Sequence, residues 1–233
     1  MNRVATPPEI RAIRTVVVFA RAPREGEVKT RLAAGVGEPA ALAIYRWLGA
    51  RTLSAARALD NVRVVVHFTP SDGAADMRAW LGDTTLHPQC TGDLGARMHH
   101  AVADALAGGA GEVLVVGTDC PGLDARLLDR AFGALRDADV VIGPATDGGY
   151  YLIGLRVLAP ALFAAIPWSS ADTLAHTLRA AQSAGMSVAL MEEHDDIDTA
   201  SDWFRWLDAL DADGTVDAET ARVIRERRLD PRH

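Results

Sequence analysis

The stretch T-V-V-V-F-A-R-A-P-R-E-G-E-V-K-T-R-L, Thr15 to Leu32, decides the fold. Its first six residues are apolar and mostly β-branched with no polar face, the pattern of a strand buried on both sides in an α/β sheet. A polar segment follows in which Pro23 and Gly26 predict a turn, and Gly26 lets the backbone approach a ligand closely. Ligands of open α/β sheets collect outside the carboxyl ends of the strands. Arg21, Arg24, Lys29 and Arg31 therefore bring positive charge to a place where a phosphate can sit. Backbone N–H groups of such turns add an anion-binding concavity. Of 24 basic residues, 23 are arginine and one, Lys29, is lysine. An ammonium is a compact point charge that reaches into a phosphate cluster, whereas a guanidinium needs room for its planar fork. The competing reading is a solvated basic loop. The coincidence of strand end, glycine and sole lysine favours a phosphate loop. It is not a Walker loop, because G-x-x-x-x-G-K-[ST] is absent.

Three further runs share the strand pattern: V-R-V-V-V-H-F (62–68), E-V-L-V-V-G (112–117) and D-V-V-I-G (139–143). Helical stripes lie between them, Met98, Ala101, Val102, Ala105 and Leu106 in one and Leu127, Leu128, Ala131 and Leu135 in the next. Ser169-Ser170-Ala171-Asp172 and Thr199-Ala200-Ser201-Asp202 both fit a capping box, the second followed by Trp203, Trp206, Leu207 and Leu210 on one face. Gly35-Val36-Gly37-Glu38-Pro39-Ala40 imitates a dinucleotide fingerprint. It starts long after the strand ends, and Pro39 reads as the first residue of a helix, so a Rossmann dehydrogenase is not expected.

The 233 residues, 49% hydrophobic and 24% charged, suit one α/β domain. A net charge of −7 gives no global field for nucleic acid or anionic lipid, so a phosphate ligand has to be held by local cations. Cys90 and Cys120 lie far apart, which fits a reduced compartment. The N-terminal residues lack the apolar core of a signal peptide, and no apolar run approaches the roughly 18 residues that span a bilayer. A cytoplasmic protein is expected.

Candidate chemistry then moves to carboxylates. Asp119 follows V-L-V-V-G-T at a strand's carboxyl end, where a hard oxygen ligand holds Mg²⁺ beside substrate phosphates; a turn before Pro121-Gly122 is the alternative. In H-D-D-I-D (194–198), Asp196 and Asp198 point to one side if the segment is extended, and both can join Asp119 around metal; a solvated acidic turn is the alternative. His99, His100 and His194 lack metal-ligand spacing. T-D-G-G-Y-Y-L-I-G-L (146–155) carries an Asp-Gly hairpin signal. Such a turn overhangs the sheet edge and offers Asp147 and Tyr150 to an acceptor.

Taken in order, F-A-R-A-P-x-x-G-x-V-K-T-R-L, G-D-L-G-A-R-M (92–98), G-T-D-C-P-G-L (117–123), G-P-A-T-D-G-G-Y-Y-L-I-G-L (143–155), P-W-S (167–169) and D-I-D-T-A-S-D (196–202) closely resemble a bacterial family of GT-A-fold, glycosyltransferase-like proteins. Some members are linked to arsenosugar biosynthesis. More distantly the set is similar to phospholactate and molybdenum-cofactor guanylyltransferases. The resemblance spans roughly residues 14–210. It implies a single-domain GT-A (nucleotide-diphospho-sugar transferase) fold with a mostly parallel central sheet flanked by helices. The expected layout is a flexible tail over 1–12, the transferase domain over 13–211 and a helical tail over 212–233. The resemblance also implies a nucleotide site of Arg21, Pro23, Gly26, Lys29, Thr30, Arg31, Gly92, Gly95 and Arg97, with Lys29 and Arg31 the catalytic cations. Asp119 and Asp198 become the ligands of Mg²⁺ (or Mn²⁺). Asp147 is the candidate base, and Asp147, Gly148, Gly149, Tyr150, Trp168 and Ser169 form an acceptor site. Two departures stand out. The D-x-D of sugar transferases is reduced to Thr118-Asp119-Cys120, and Glu25 and Glu27 dilute the charge of the phosphate loop.

Three functions follow. The favoured one is metal-dependent glycosyl transfer from a nucleotide-diphosphate sugar to a small-molecule acceptor. Nucleotidyl transfer, releasing pyrophosphate, is the alternative. The third is a non-catalytic nucleotide-sugar-binding protein. A homodimer is compatible with each. A serine hydrolase has no support, because G-x-S-x-G is missing.

Overall fold

The computed structural model describes residues 13–213. The side chain of Leu210 and the expected tails, except for 212 and 213, fall outside the described residues. Seven strands form one sheet in the order β3-β2-β1-β4-β6-β5-β7: β1 (Ile13–Arg21), β2 (Val62–Thr69), β3 (Thr85–Pro88), β4 (Ala110–Val116), β5 (Val140–Pro144), β6 (Tyr150–Leu155) and β7 (Val188–Leu190). β6 alone runs antiparallel to its neighbours β4 and β5. The chain has the nucleotide-diphospho-sugar transferase fold.

The four expected strands all form because their side chains are apolar on both faces and meet a helical layer on each. Val16, Val18 and Ala20 of β1 point to the face covered by α2 (Glu38–Arg57), α3 (Ala74–Leu81) and α5 (Ala125–Ala134). Val17 points to the opposite face, under α4 (Leu94–Ala107) and α6 (Thr173–Ser183). Each fully buried Val or Leu contributes about 1.5–3 kcal/mol relative to exposure. β3 and β7 are short, half-exposed edge strands, so they lack the two-sided apolar signal.

A third apolar cluster lies to one side of the sheet. Leu32 of α1 (Thr30–Val36), Ile44, Trp47 and Leu48 of α2, Ile197, and Trp203 and Leu207 of α7 (Ala200–Asp213) pack together. Trp47 meets Trp203 edge-on at 5.9 Å, and Trp203 stacks on Trp206 at 5.4 Å. The capping box at Thr199 forms as expected: Asp202 Oδ2 accepts from the Thr199 N–H (2.8 Å) and hydroxyl (2.7 Å), and the Asp202 N–H reaches back to Thr199 Oγ1 (3.3 Å). The box expected at Ser169–Asp172 does not form. Ser169 sits at φ 58, Asp172 makes no side-chain cap bond, and α6 starts at Thr173. Pro39 is the second residue of its helix, one place later than expected.

β1 → β2 → β3 builds the sheet to one side, and β4 then returns to the other side of β1. Where the winding direction reverses, the exits of β1 and β4 diverge and leave a crevice, which is where ligands of open α/β sheets bind. The two exits are the segments after Arg21 and after Val116, and they carry Lys29 and Asp119.

Candidate active site

The segment after β1 is held at its start by Tyr45. The tyrosine hydroxyl accepts from the Arg21 N–H (2.7 Å) and donates to the Arg21 carbonyl (2.8 Å), bracketing the last residue of the strand. Burial pushes the Tyr45 phenol pKa up, so it stays protonated and keeps both bonds. The chain turns at Gly26 (φ 75) and enters α1 through Lys29, whose own backbone is left-handed (φ 49, ψ 44). A residue with a Cβ pays roughly 1–2 kcal/mol for that conformation, so its surroundings must hold it there.

They do so through the side chain. Lys29 Nζ donates to Asp119 Oδ1 (2.7 Å), Asp198 Oδ1 (2.8 Å) and the Ile197 carbonyl (2.6 Å). An ammonium has three donors, and all three are used. Only 6% of the side chain is exposed. Burial works against its charge, but the carboxylates of Asp119 and Asp198, and the hydrogen bonds to them, outweigh it; the pKa is raised and the lysine stays cationic. Three chain segments, after β1, after β4 and before α7, are thus tied at one nitrogen. The third is delivered by the tryptophan cluster, which buries Ile197 beside Asp198.

Above this knot lies an open cleft of about 380 Å³, lined by Arg21, Lys29, Thr30, Arg31, Tyr45, Asp119 and Asp198 among others. Arg31 is 72% exposed and comes within 3.6 Å of Asp198. Arg24 is not part of it: its guanidinium turns away to Asp76 of α3 (2.7 Å) and to Asp72 in the turn before that helix (3.3 Å). The remaining expected nucleotide residues, Pro23, Gly26, Gly92, Gly95 and Arg97, do not line the cleft. Gly95 is required for space, since a Cβ there would collide with the Phe163 carbonyl and the Trp168 indole. Arg97 folds back on the Gly92 carbonyl (3.0 Å). Gln89 and Leu94, from the same region, line the cleft instead.

A second cavity of about 250 Å³ adjoins the first and shares Phe19, Leu94, Thr118 and Asp119 with it. Tyr150 and Asp196 line it; Asp147, Gly148, Gly149, Trp168 and Ser169 do not. The hairpin signal is correct, and it accounts for Asp147: Oδ1 accepts from the Gly149 N–H (2.8 Å) and braces the turn. Gly148 (φ 88) packs against the Ala171 backbone, and its carbonyl accepts from the Leu174 N–H at 2.9 Å. Trp168 stands edge-on to Tyr150 at 6.3 Å, behind the cavity wall. Asp196 stands half-buried beside Asp119 with its Oδ1 atom fully covered, and burial pushes its pKa up to about 7.

The donor set fits a divalent cation in part. Asp119 and Asp198 are hard oxygen donors, 43% and 39% exposed at the cleft floor, and Asp196 Oδ1 is a buried oxygen with no hydrogen-bond partner. Among the described residues no three acidic, histidine or cysteine side chains already form a metal cage. A metal here therefore takes its remaining ligands from a bound molecule, as Mg²⁺ does with substrate phosphates.

Both cysteines are free, and no helix among the described residues is long and apolar enough to cross a membrane.

Comparison with known proteins bears on this geometry. A family profile described as "Uncharacterized protein conserved in bacteria (DUF2064)" matches residues 52–170. A protein of Desulfovibrio desulfuricans G20, described as a "putative nucleotide-diphospho-sugar transferase", is 31% identical; the alignment covers 92% of this chain and 95% of that one, with a TM-score of 0.84. A CMP:2-keto-3-deoxy-manno-octonic acid synthetase solved with CTP shares the fold at 13% identity, covering 86% of this chain and 99% of its own, with a TM-score of 0.53. Rv0371c of Mycobacterium tuberculosis H37Rv, solved with manganese, does so at 16% identity, covering 84% and 98%, with a TM-score of 0.52. No curated protein matches the sequence.

Proposed function

The chain belongs to the DUF2064 family, and from that premise we propose that it is a metal-dependent transferase that uses a nucleotide-activated donor, with glycosyl transfer from a nucleotide-diphosphate sugar as its reaction. The observation that carries this reading is the knot itself. A sole lysine and two acids, distant in sequence, converge at the β1/β4 crevice on the floor of a cleft rimmed by Arg21 and Arg31. The D. desulfuricans relative, described as a "putative nucleotide-diphospho-sugar transferase", supports this class of donor.

In this reading Arg21, Thr30 and Arg31 bind the donor phosphates from the open side of the cleft. Asp119 and Asp198 would hold Mg²⁺ or Mn²⁺, which supplies charge neutralisation on the departing diphosphate. Lys29 sets the positions of both acids and keeps a fixed positive charge beneath the phosphates, a preorganised stabiliser of developing negative charge. An acceptor hydroxyl forms the new bond to the anomeric carbon. The old bond breaks with its electron pair leaving on the nucleoside diphosphate, and the hydroxyl proton passes to a carboxylate facing the acceptor side.

Nucleotidyl transfer uses nearly the same groups and differs in the atom attacked, the α-phosphorus. Incubation of the purified protein with nucleotide sugars and nucleoside triphosphates, each with Mg²⁺ or Mn²⁺, separates the two by the leaving group. Nucleoside diphosphate supports the proposal and pyrophosphate the alternative. Metal-independent binding with no leaving group from any donor identifies a non-catalytic binding protein.

A further inference from the structure

The two adjoining cavities differ in charge. The larger one carries Arg21, Lys29 and Arg31 beside Glu27, Asp119 and Asp198, so its acids are matched by cations. The smaller one is lined by no lysine, arginine or histidine among the described residues and carries Asp119 and Asp196 instead. Its other walls are ring and aliphatic surface. Phe19, Met98 and Ile153 line it. Of its two tyrosines, Tyr151 donates to the Glu192 carbonyl at 2.9 Å, and the Tyr150 hydroxyl is buried with no hydrogen-bond partner. Asp196 Oδ1 is buried and has no hydrogen-bond partner. A buried polar oxygen without a partner costs free energy that a donor group on a ligand recovers, whereas an anion there finds no cationic side chain in the cavity's own lining, and the ammonium nearest it, Lys29, has its three donors taken by Asp119, Asp198 and the Ile197 carbonyl.

Resting on the reading that the larger cleft takes the donor phosphates, we propose that the smaller cavity selects the acceptor by charge: an uncharged or cationic, hydroxyl-bearing molecule with a compact apolar face. Phosphate- and carboxylate-bearing acceptors are excluded. The attacking group is then an alcohol and not a phosphate. The volume, about 250 Å³, admits a body the size of one substituted six-membered ring.

Three alcohols of one shape test this on the full chain: 1,4-benzenedimethanol, 4-(aminomethyl)benzyl alcohol and 4-(hydroxymethyl)benzoate. Binding is read by ligand-observed NMR at millimolar concentrations and located by crystal soaking. Transfer is then read with whichever donor releases a leaving group. The neutral and cationic alcohols are expected in the smaller cavity, bound and used at least about tenfold better than the carboxylate. Asp196→Asn, nearly isosteric, is expected to shrink that gap. Leu94→Trp, at an exposed position shared by both cavities, is expected to weaken all three alcohols and covers the case of an Asp196→Asn protein that does not fold. Equal or tighter binding of 4-(hydroxymethyl)benzoate, or binding of none of the three, overturns the inference. Donor turnover with no discrimination among the alcohols refutes the acceptor class and leaves the transferase reading standing. Selective binding without a leaving group from any donor refutes the transferase reading alone.

Discussion

Replacing Lys29 separates two properties that the structure joins in one residue, a saturated ammonium and a left-handed backbone. In Lys29→Ala the three acceptors lose their donor while the backbone strain remains. Asp119 and Asp198 are each about two-fifths exposed and can rehydrate, so the loss falls below the roughly 3–5 kcal/mol of a fully buried broken pair. Their oxygens, each within 2.8 Å of the same nitrogen, lie no more than about 6 Å apart; without the cation they repel by about 0.7 kcal/mol at the dielectric of water and about 3 kcal/mol at an effective dielectric of 20. A net loss of about 2–3 kcal/mol is expected, or roughly 5–10 °C in Tm for a chain of this length. Lys29→Gly removes the same side chain but relieves the left-handed strain, about 1 kcal/mol at the low end. Glycine is therefore expected to be about 1 kcal/mol more stable than alanine at this site, the reverse of its usual rank in a helix. Urea unfolding at constant m measures both variants. A glycine variant no more stable than the alanine one refutes the strain argument. An alanine variant as stable as wild type refutes the knot. Calorimetry on the same proteins is expected to show nucleoside-diphosphate affinity reduced by more than about 1.5 kcal/mol.

Asp119→Asn is expected to abolish the metal dependence of nucleotide binding; a variant that still requires Mg²⁺ removes Asp119 from the ligand set. Tyr45→Phe deletes both bonds of the Arg21 bracket, with an expected loss of about 1–3 kcal/mol in stability and faster hydrogen exchange through residues 22–29; unchanged exchange contradicts the bracket. His67, stacked between Phe19 and His87, has a pKa lowered to about 4 from 6.5, chiefly by burial. The unfolded imidazole takes up a proton that the folded one refuses, so stability falls as pH drops from 6.5 toward 4. His67→Gln is expected to flatten that slope in unfolding measured at pH 7 and pH 5. Burial pushes the Cys120 thiol up to about 12, so thiol reagents near neutral pH are expected to modify Cys90 and spare Cys120, by peptide mapping.

The sequence was most legible where one physical demand dominates. β1, β2, β4 and β5 are apolar on both faces because both faces are covered, and that leaves a continuous run. β3 has one half-buried and three exposed residues, so its pattern does not differ from a loop. At the candidate site, Lys29 and Asp119 were singled out because each follows the carboxyl end of a buried strand, where open α/β sheets gather ligands, and the structure brings both, with Asp198, to one nitrogen. Tyr45 was not: inside a long helix an aromatic reads as core, and its hydroxyl's target lies 24 residues away on β1. Gly95, Gly148 and Trp168 sit in motifs of the resembled family, yet their places here are explained by close packing behind the cavities. A short motif does not distinguish a residue that touches a ligand from one that shapes the wall behind it.

The lysine knot also sets an order of events. Its acceptors on Ile197 and Asp198 lie 168 and 169 residues beyond Lys29. A growing polypeptide that has left the ribosome only through β6 therefore holds an ammonium with one of its three acceptors, opposite a strand tip already in place. The cleft floor closes only when the tryptophan-bearing helix emerges and docks, so the last seventh of the described chain completes a site that the first seventh begins.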